Sequence, residues 1–427
     1  MKKFSKILAI LLIAVLMLNL AACGKKNEKT PDASNTASPS STPVQNEVEQ
    51  EPTLKPHKIA VAFASLSSAD IMQKNYLENV VGPAFNTEFV FSEELSNAEE
   101  VISFLETAYA SGCEGVMVFP TDGLDQVIAK ADELGLYVVT NSANIVQSVK
   151  NLPHYVGNVS SGAKITAGIF SEVVMKLVSD GEKHNVIIVS GGAGMGSSQH
   201  YETTVSILQV LQSTYNLNYS SPIEEIARST SPLEVDTGSD VKVYIYPGFP
   251  YGDSYVSGLS SVLQTGEYDT VICCFNAFSQ FSVAIDEVEK AFGKNIRVVS
   301  LSSGDDTTAS AFNTLDAFGN PSIDAVIVKP LCAMSAEMFV LLYNAIEGGV
   351  DQIRQTPGEA TMFIMPMWYA YGADEYNALS NLDNSPETYA FKPEDLKQYL
   401  IVYNPNVNYE TIYTAWYTCT AQSLMKR

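Results

Sequence analysis

The sequence predicts an α/β protein built on parallel sheets, and three observations predict it. Short apolar runs recur along the chain, each continuous rather than alternating, as a strand covered by helices on both faces requires. Amphipathic stretches separate these runs, and a glycine closes most of them. The runs lie at 59–64, 115–119, 137–140, 155–159, 186–190, 241–246, 270–275, 297–301 and 325–328. Between them Val101, Leu105 and Ala108 fall on one helical face, as do Leu124, Ile128 and Ala131, and then Ile207 with Leu211. Gly112, Gly135, Gly181, Gly266, Gly293, Gly319 and Gly348 stand where each helix should stop, because glycine enters the left-handed C′ conformation without steric cost. Repeated β-α units mean parallel sheets.

The chain has 427 residues, 46% of them hydrophobic, which is material for two packed lobes at roughly 100–200 residues per domain. The turn-rich, extended stretch after Tyr155 argues for two smaller sheets. One large sheet or an eight-fold barrel also fits the pattern taken alone. Acidic side chains number 48 against 25 basic, a formal charge of −23. Such a surface repels phosphate backbones, and no Lys/Arg-rich run follows the N-terminus, so nucleic acid is not the expected partner.

Residues 1–22 read as an export signal. Lys2, Lys3 and Lys6 precede an apolar run from Ile7 to Leu20, shorter than the roughly 20 residues that span a bilayer, and Leu20-Ala-Ala-Cys23 follows. This resembles the bacterial lipoprotein signal, in which the cysteine is acylated, so the resemblance implies a palmitate-type lipid anchor on Cys23. An ordinary signal with a coincidental cysteine is the alternative. Removing residues 1–22 takes three lysines with it and leaves a charge of −26. Residues 23–56 mix Lys, Asn, Ser, Thr, Pro, Gln and Glu with almost no large apolar residue, and are read as the anchor and a solvated tether. No other stretch is read as a membrane span. The remaining cysteines, Cys113, Cys273, Cys274, Cys332 and Cys419, are odd in number and lack a C-x-x-C, which favours buried free thiols over a disulfide framework.

The order of segments from about Lys58 to Gly349 resembles the type 1 periplasmic solute-binding proteins, particularly the sugar receptors of ABC transporters. The markers are Lys58-Ile-Ala-Val-Ala-Phe followed by Ser65-Leu-Ser-Ser-Ala-Asp70, Gly112-Cys-Glu-Gly-Val-Met-Val-Phe-Pro120, and Gly135-Leu-Tyr-Val-Val-Thr-Asn141. Tyr155-Val-Gly-Asn158, Gly191-Gly-Ala-Gly-Met-Gly196, Ile272-Cys-Cys-Phe-Asn276 and Val298-Val-Ser-Leu-Ser302 follow in order. The resemblance implies two doubly wound parallel-sheet lobes joined by a three-crossing hinge, with a ligand cleft at the carboxyl ends of both sheets. It assigns 57–158 plus 331–349 to the first lobe and 159–330 plus 350–427 to the second.

Carried over position by position, the resemblance puts ligand contacts on Ser67 and Asp70 in the first lobe's opening loop, and on Asn141 and Ser142 after the third strand. In the second lobe it selects Gln199 or His200, the loop 249–253 with Tyr251 and Asp253, Asn276, Ser302 with Asp305 nearby, and Val328 or Lys329; Phe278 is a further candidate as an aromatic face for a sugar. Of these Asn276 matches the sugar receptors well. Where those receptors carry aromatic residues, an Asp, an Arg and a late Asp, this chain has Asp70-Ile71, Asn141, Gln199/His200 and Ser302. A sugar needs planar polar side chains for its hydroxyls and aromatic faces for its C–H surface. Each residue named also fits an ordinary solvated loop, and each aromatic an ordinary core position.

Gly191-Gly-Ala-Gly-Met-Gly196 has neither the G-x-G-x-x-G spacing nor the Lys-Ser/Thr ending of a phosphate loop, and reads as a tight strand-to-helix turn. The four histidines, His57, His154, His184 and His200, form no H-E-x-x-H, and there is no G-x-S-x-G or zinc-type Cys/His cluster. No cofactor, metal or catalytic set is expected. The aromatic tail, with Trp368, Tyr399, Tyr403, Tyr409, Tyr413, Trp416 and Tyr417, is read as late strands and a helix packing across the hinge, or as a permease contact.

The expected function is that of a monomeric, lipid-anchored receptor on the outer face of the cell membrane, not an enzyme, which captures a small polar solute and delivers it to an ABC transporter permease. A co-receptor presenting ligand to a membrane sensor kinase is the alternative, and a surface hydrolase a third.

Overall fold

The computed structural model describes residues 51–249, 253–304 and 306–425. The stretches read as signal peptide and as tether up to residue 50, Cys23 among them, lie outside these, as do Tyr251 and Asp305. The stretch read as tether ends earlier than expected, because residues 51–56 are already held to the body. Asn86 Nδ2 donates to the Leu54 carbonyl at 3.1 Å, Lys55 pairs with Glu347 at 3.3 Å, and Glu51 pairs with Lys397 at 2.6 Å.

Strands and helices alternate through two separate sheets, as the β-α pattern predicts. The first sheet has six parallel strands in the order β12-β5-β4-β3-β1-β2, with β1 at His57–Phe63, β2 at Thr87–Glu94, β3 at Gly115–Val118, β4 at Tyr137–Thr140, β5 at Tyr155–Ser160 and β12 at Thr361–Ile364. The second has seven in the order β13-β11-β10-β9-β6-β8-β7. Its members are β6 (Val186–Gly191), β7 (Leu233–Val235), β8 (Val243–Pro247), β9 (Thr270–Cys273), β10 (Arg297–Ser302), β11 (Ala325–Val328) and β13 (Trp368–Tyr371). Only its edges run antiparallel, β7 against β8 and β13 against β11.

Each sheet is covered on both faces, which is why its strands are apolar runs. On the first, Ile59, Val61 and Phe63 point to the side of the helix Leu331–Asn344, while Ala60 and Ala62 meet the helices Ala98–Ala110 and Leu124–Leu134. On the second, Ile188 and Ile272 meet the helices Ala163–Val178 and Ser198–Tyr215, while Ile187 and Val271 face Asp253–Leu263 and Phe278–Phe292. The seven glycines predicted to stop helices all take positive φ, and Gly135 and Gly293 are the C-caps of their helices. The five cysteines among the described residues are buried and free.

Three strand-to-strand crossings join the lobes, after β5 (161–162), after β11 (329–330) and between β12 and β13 (365–367), and after β13 the chain returns to the first lobe, where the Phe391 carbonyl accepts from Tyr76 Oη at 2.8 Å. The third corrects the expectation for the tail. It falls fifteen residues beyond 349/350, so the tail is shared: β12 extends the first sheet and β13 the second. The helical stretch Leu331–Gly349 is long and apolar enough to cross a membrane, contrary to the sequence reading, but it is largely buried within the protein. It is the central helix of the first lobe.

Candidate functional site

In both sheets the loops after the strands' carboxyl ends meet in a cleft of about 580 Å³ at the crossings. The first lobe supplies Asn141 to Asn144 after β4, with Ser160 and Ser161 at the end of β5; the second supplies Gly196 to His200, Phe275 and Asn276, Ser303 and Lys329. Among the described lining residues there is no Asp or Glu.

Local hydrogen bonds set the wall at residues 141–144. Asn158, fully buried in β5, accepts on Oδ1 from Thr140 Oγ1 at 2.7 Å and from both the backbone N–H and Oγ of Ser142 at 2.8 Å. Its Nδ2 returns a bond to the Ser142 carbonyl at 2.8 Å. Asn141 Nδ2 donates to the Val159 carbonyl at 2.8 Å, which fixes its amide and leaves Oδ1 as the free-facing end. Asn158 is a positioning residue that sequence reasoning did not select. Its signal was a lone amide inside an apolar strand run, where an unsatisfied polar group is costly.

The opposite wall is built by the glycine loop. Gly191 takes φ +59°, and a Cβ there would come within 2.7 Å of both His200 Nδ1 and the Phe275 ring; one on Gly192 would come within 2.9 Å of Phe249. The glycines let the His200 ring approach the backbone between two aromatic rings, with centroids 5.6 Å from Phe275 and 5.7 Å from Phe249. The Gly192 N–H donates to His200 Nδ1 at 2.9 Å. That bond leaves the neutral ring's proton on Nε2. Burial and the neighbouring Lys329 charge push the imidazole down to about 4, so it is neutral at physiological pH. Lys329, which follows β11, is surrounded by protein, and desolvation lowers its ammonium from the ordinary lysine value.

Of the residues selected from sequence, the structure brings Asn141, Ser142, Gln199, His200, Asn276 and Lys329 into this one cleft. It places others elsewhere. Ser67 and Asp70 form the capping box of the helix Ser68–Tyr76, where Asp70 Oδ2 accepts from Ser65 Oγ at 2.6 Å and from the Ser67 N–H at 3.0 Å. Ser302 is buried with its hydroxyl against Thr308 Oγ1 and accepting from the Gly304 N–H at 3.1 Å, while its neighbour Ser303 lines the cleft. Phe278 opens the helix Phe278–Phe292 and packs on Phe281 at 6.2 Å, beside a separate groove. Asp253 begins the helix Asp253–Leu263, and Tyr251 and Asp305 lie outside the described residues. No group of three or more His, Cys, Asp or Glu capable of holding a metal occurs among the described residues.

No family model matches the sequence, and no curated protein sequence matches it. Solved structures do match in shape. A galactofuranose binding protein superposes with a TM-score of 0.52 at 14% identity, covering 77% of this chain and 98% of that one. The fold is that of the sugar-binding ABC transporter solute-binding proteins. A solute binding protein from Bacillus halodurans C-125 with bound myo-inositol gives 0.52 at 13% identity, over 76% of this chain and 97% of its own. One from Actinobacillus succinogenes 130z with bound D-allose gives 0.53 at 14%, over 76% and 99%. After β13 the tail of this chain packs across the hinge. The helix Gly372–Asn384 stacks Tyr376 on Phe312 of the second lobe at 4.9 Å, and its Asp383 accepts from Cys332 and Ala333 N–H of the first lobe's central helix at 3.2 and 3.1 Å.

Proposed function

We propose that this chain is an extracytoplasmic solute-binding protein, anchored to the membrane by lipid on Cys23, which captures a small polar solute of sugar type and delivers it to an ABC importer. The observation that carries the reading is the cleft: polar side chains from two lobes converge on one cavity beside three hinge crossings, and the cavity, about 580 Å³, matches a small ligand. Amide ends such as those of Asn141 and Asn276 suit hydroxyl groups, and Phe275 offers an apolar face to sugar C–H bonds. The solved proteins of this fold with bound D-allose and myo-inositol support a polyhydroxylated ligand. Hinge closure would bury the solute between the lobes and present a closed form to a permease.

Thermal unfolding with a panel of hexoses, pentoses, polyols and their acids tests capture. A ligand at a hundredfold excess over its Kd stabilises the native state by about 2.7 kcal/mol, so the midpoint moves visibly upward. A panel with no shift removes the solute-capture reading. Metabolic labelling with radioactive palmitate tests the anchor, and label retained after Cys23→Ala removes that part of it.

A further inference from the structure

The cleft is charged against the trend of the chain. A protein with 48 acidic side chains puts none on the described cleft lining, yet puts Lys329 there. No described carboxylate lies within 4 Å of its ammonium; the same is true of Lys74, Lys164, Lys176, Lys290 and Lys392, but Lys329 is the one lysine on the described cleft lining, and it is desolvated there. A desolvated cation held without a counter-ion is costly and is retained where a ligand supplies the charge.

Three further donors point the same way. The neutral His200 ring holds its Nε2–H free of any described acceptor, because Nδ1 is occupied by the Gly192 N–H. The eighteen-residue helix Ser198–Tyr215 opens at the cleft, with Ser197 as its N-cap and the backbone of Ser198 and Gln199 on the lining. Ser161, at the first crossing, is 5% exposed and lines the cleft, and its hydroxyl meets no partner.

We propose that the solute carries a carboxylate, held by the Lys329 ammonium, the His200 Nε2–H and the opening N–H groups of the helix Ser198–Tyr215, with the Ser161 hydroxyl completing the pocket. This rests on the solute-capture reading and narrows it to sugar acids, hexuronates or hexonates. Charge balance favours the monoanion: one full positive charge and one helix terminus neutralise a carboxylate, whereas a phosphate dianion would leave excess negative charge in a desolvated site. Hydrogen bonds to a charged group carry discrimination of this kind, because the neutral analogue leaves the lysine unpaired.

Calorimetric titration of the full-length chain in mild detergent, with hexuronates and hexonates beside the matching hexoses and hexose 6-phosphates, tests the proposal. The acids are expected to bind about 10- to 100-fold more tightly than the parent hexoses, and Lys329→Met to bring that ratio close to one. The thermal midpoint of unliganded Lys329→Met should equal or exceed that of the native chain, which shows that the variant folds. Affinity of the native chain for the acid should fall as pH rises and Lys329 loses its proton. Hexoses binding as well as the acids, or hexose phosphates binding better, overturns the carboxylate and leaves sugar capture standing. An absence of binding by every member of the panel overturns both.

Discussion

Asn158 has no exposed surface, yet its one amide holds the wall at 141–144 through three bonds to Ser142 and ties it to β4 through a fourth to Thr140. Asn158→Ala would leave the Ser142 N–H and hydroxyl without their shared acceptor, while the buried Thr140 hydroxyl keeps Tyr155 Oη at 3.2 Å, and should cost about 2 kcal/mol in urea denaturation while weakening solute binding by displacing Asn141 and Ser142. Glu337 is the opposite case. It is fully buried in the helix Leu331–Asn344 with both carboxyl oxygens unpartnered, and burial pushes its carboxyl well above the ordinary carboxylate range. Replacing it with an apolar side chain of similar length removes an unsatisfied group, and Glu337→Met should raise the unfolding free energy by about 1–3 kcal/mol in the same measurement. These two residues also mark what sequence exposes at this scale. Asn141, His200, Asn276 and Lys329 were readable as strand-end residues because parallel sheets put all their carboxyl ends on one side. Ser302 and Asp70 obey the same rule, but their oxygens are taken up by a turn and a helix cap, and that depends on local geometry that strand position does not reveal.

At the scale of elements, the strands buried on both faces were legible as continuous apolar runs, and those missed were of another kind. β2 is an edge strand with Glu88, Glu93 and Glu94 exposed, and β7 has only three residues, so neither shows a run. The tail resisted for a different reason: its aromatic residues are anchors whose partners lie far away in sequence. Trp416 Nε1 donates to the Ala333 carbonyl at 2.8 Å while its ring stacks on Phe391 at 4.2 Å, and Trp368 Nε1 donates to the Cys419 carbonyl at 2.9 Å. Asp383 joins this set by capping the helix Leu331–Asn344 from outside, since that helix starts at Pro330 with no side-chain cap of its own. Asp383→Ala should therefore cost about 2–3 kcal/mol by leaving two buried N–H groups unpaired, whereas Asp383→Asn, which keeps an acceptor, should cost less than half as much; equal losses in denaturant melts would show that the cap is not the cause.

At the scale of the whole molecule the buried carboxyls act together on stability. Burial raises Asp324 and Asp383 to about 6, Glu289 to about 7, and Glu337 well above its ordinary value. For each of these the folded state binds the proton more tightly than the unfolded chain, so stability is full below the unfolded pKa, near 4, and is lost as pH rises through the folded value. His200 has the opposite sign: with its folded value at about 4, it contributes stability above the unfolded pKa of about 6.5 that is lost as pH falls toward 4. Lys329, lowered by desolvation, shares the sign of His200, in the window below the ordinary lysine value. Between pH 5.5 and 7.5 Asp324, Asp383 and Glu289 outweigh His200, and the growing repulsion within a chain of formal charge −23 adds to the same side. The unliganded protein should thus be more stable at pH 5.5 than at pH 7.5, by on the order of 2 kcal/mol, in urea melts at constant ionic strength. Glu289→Gln should flatten that slope, because the amide keeps an acceptor for the Ile296 N–H, now bonded to Oε1 at 2.9 Å, and cannot ionise. A stability that rises from pH 5.5 to 7.5 would mean that these carboxyls are hydrated in the native state, and that the core around them is looser than its packing indicates.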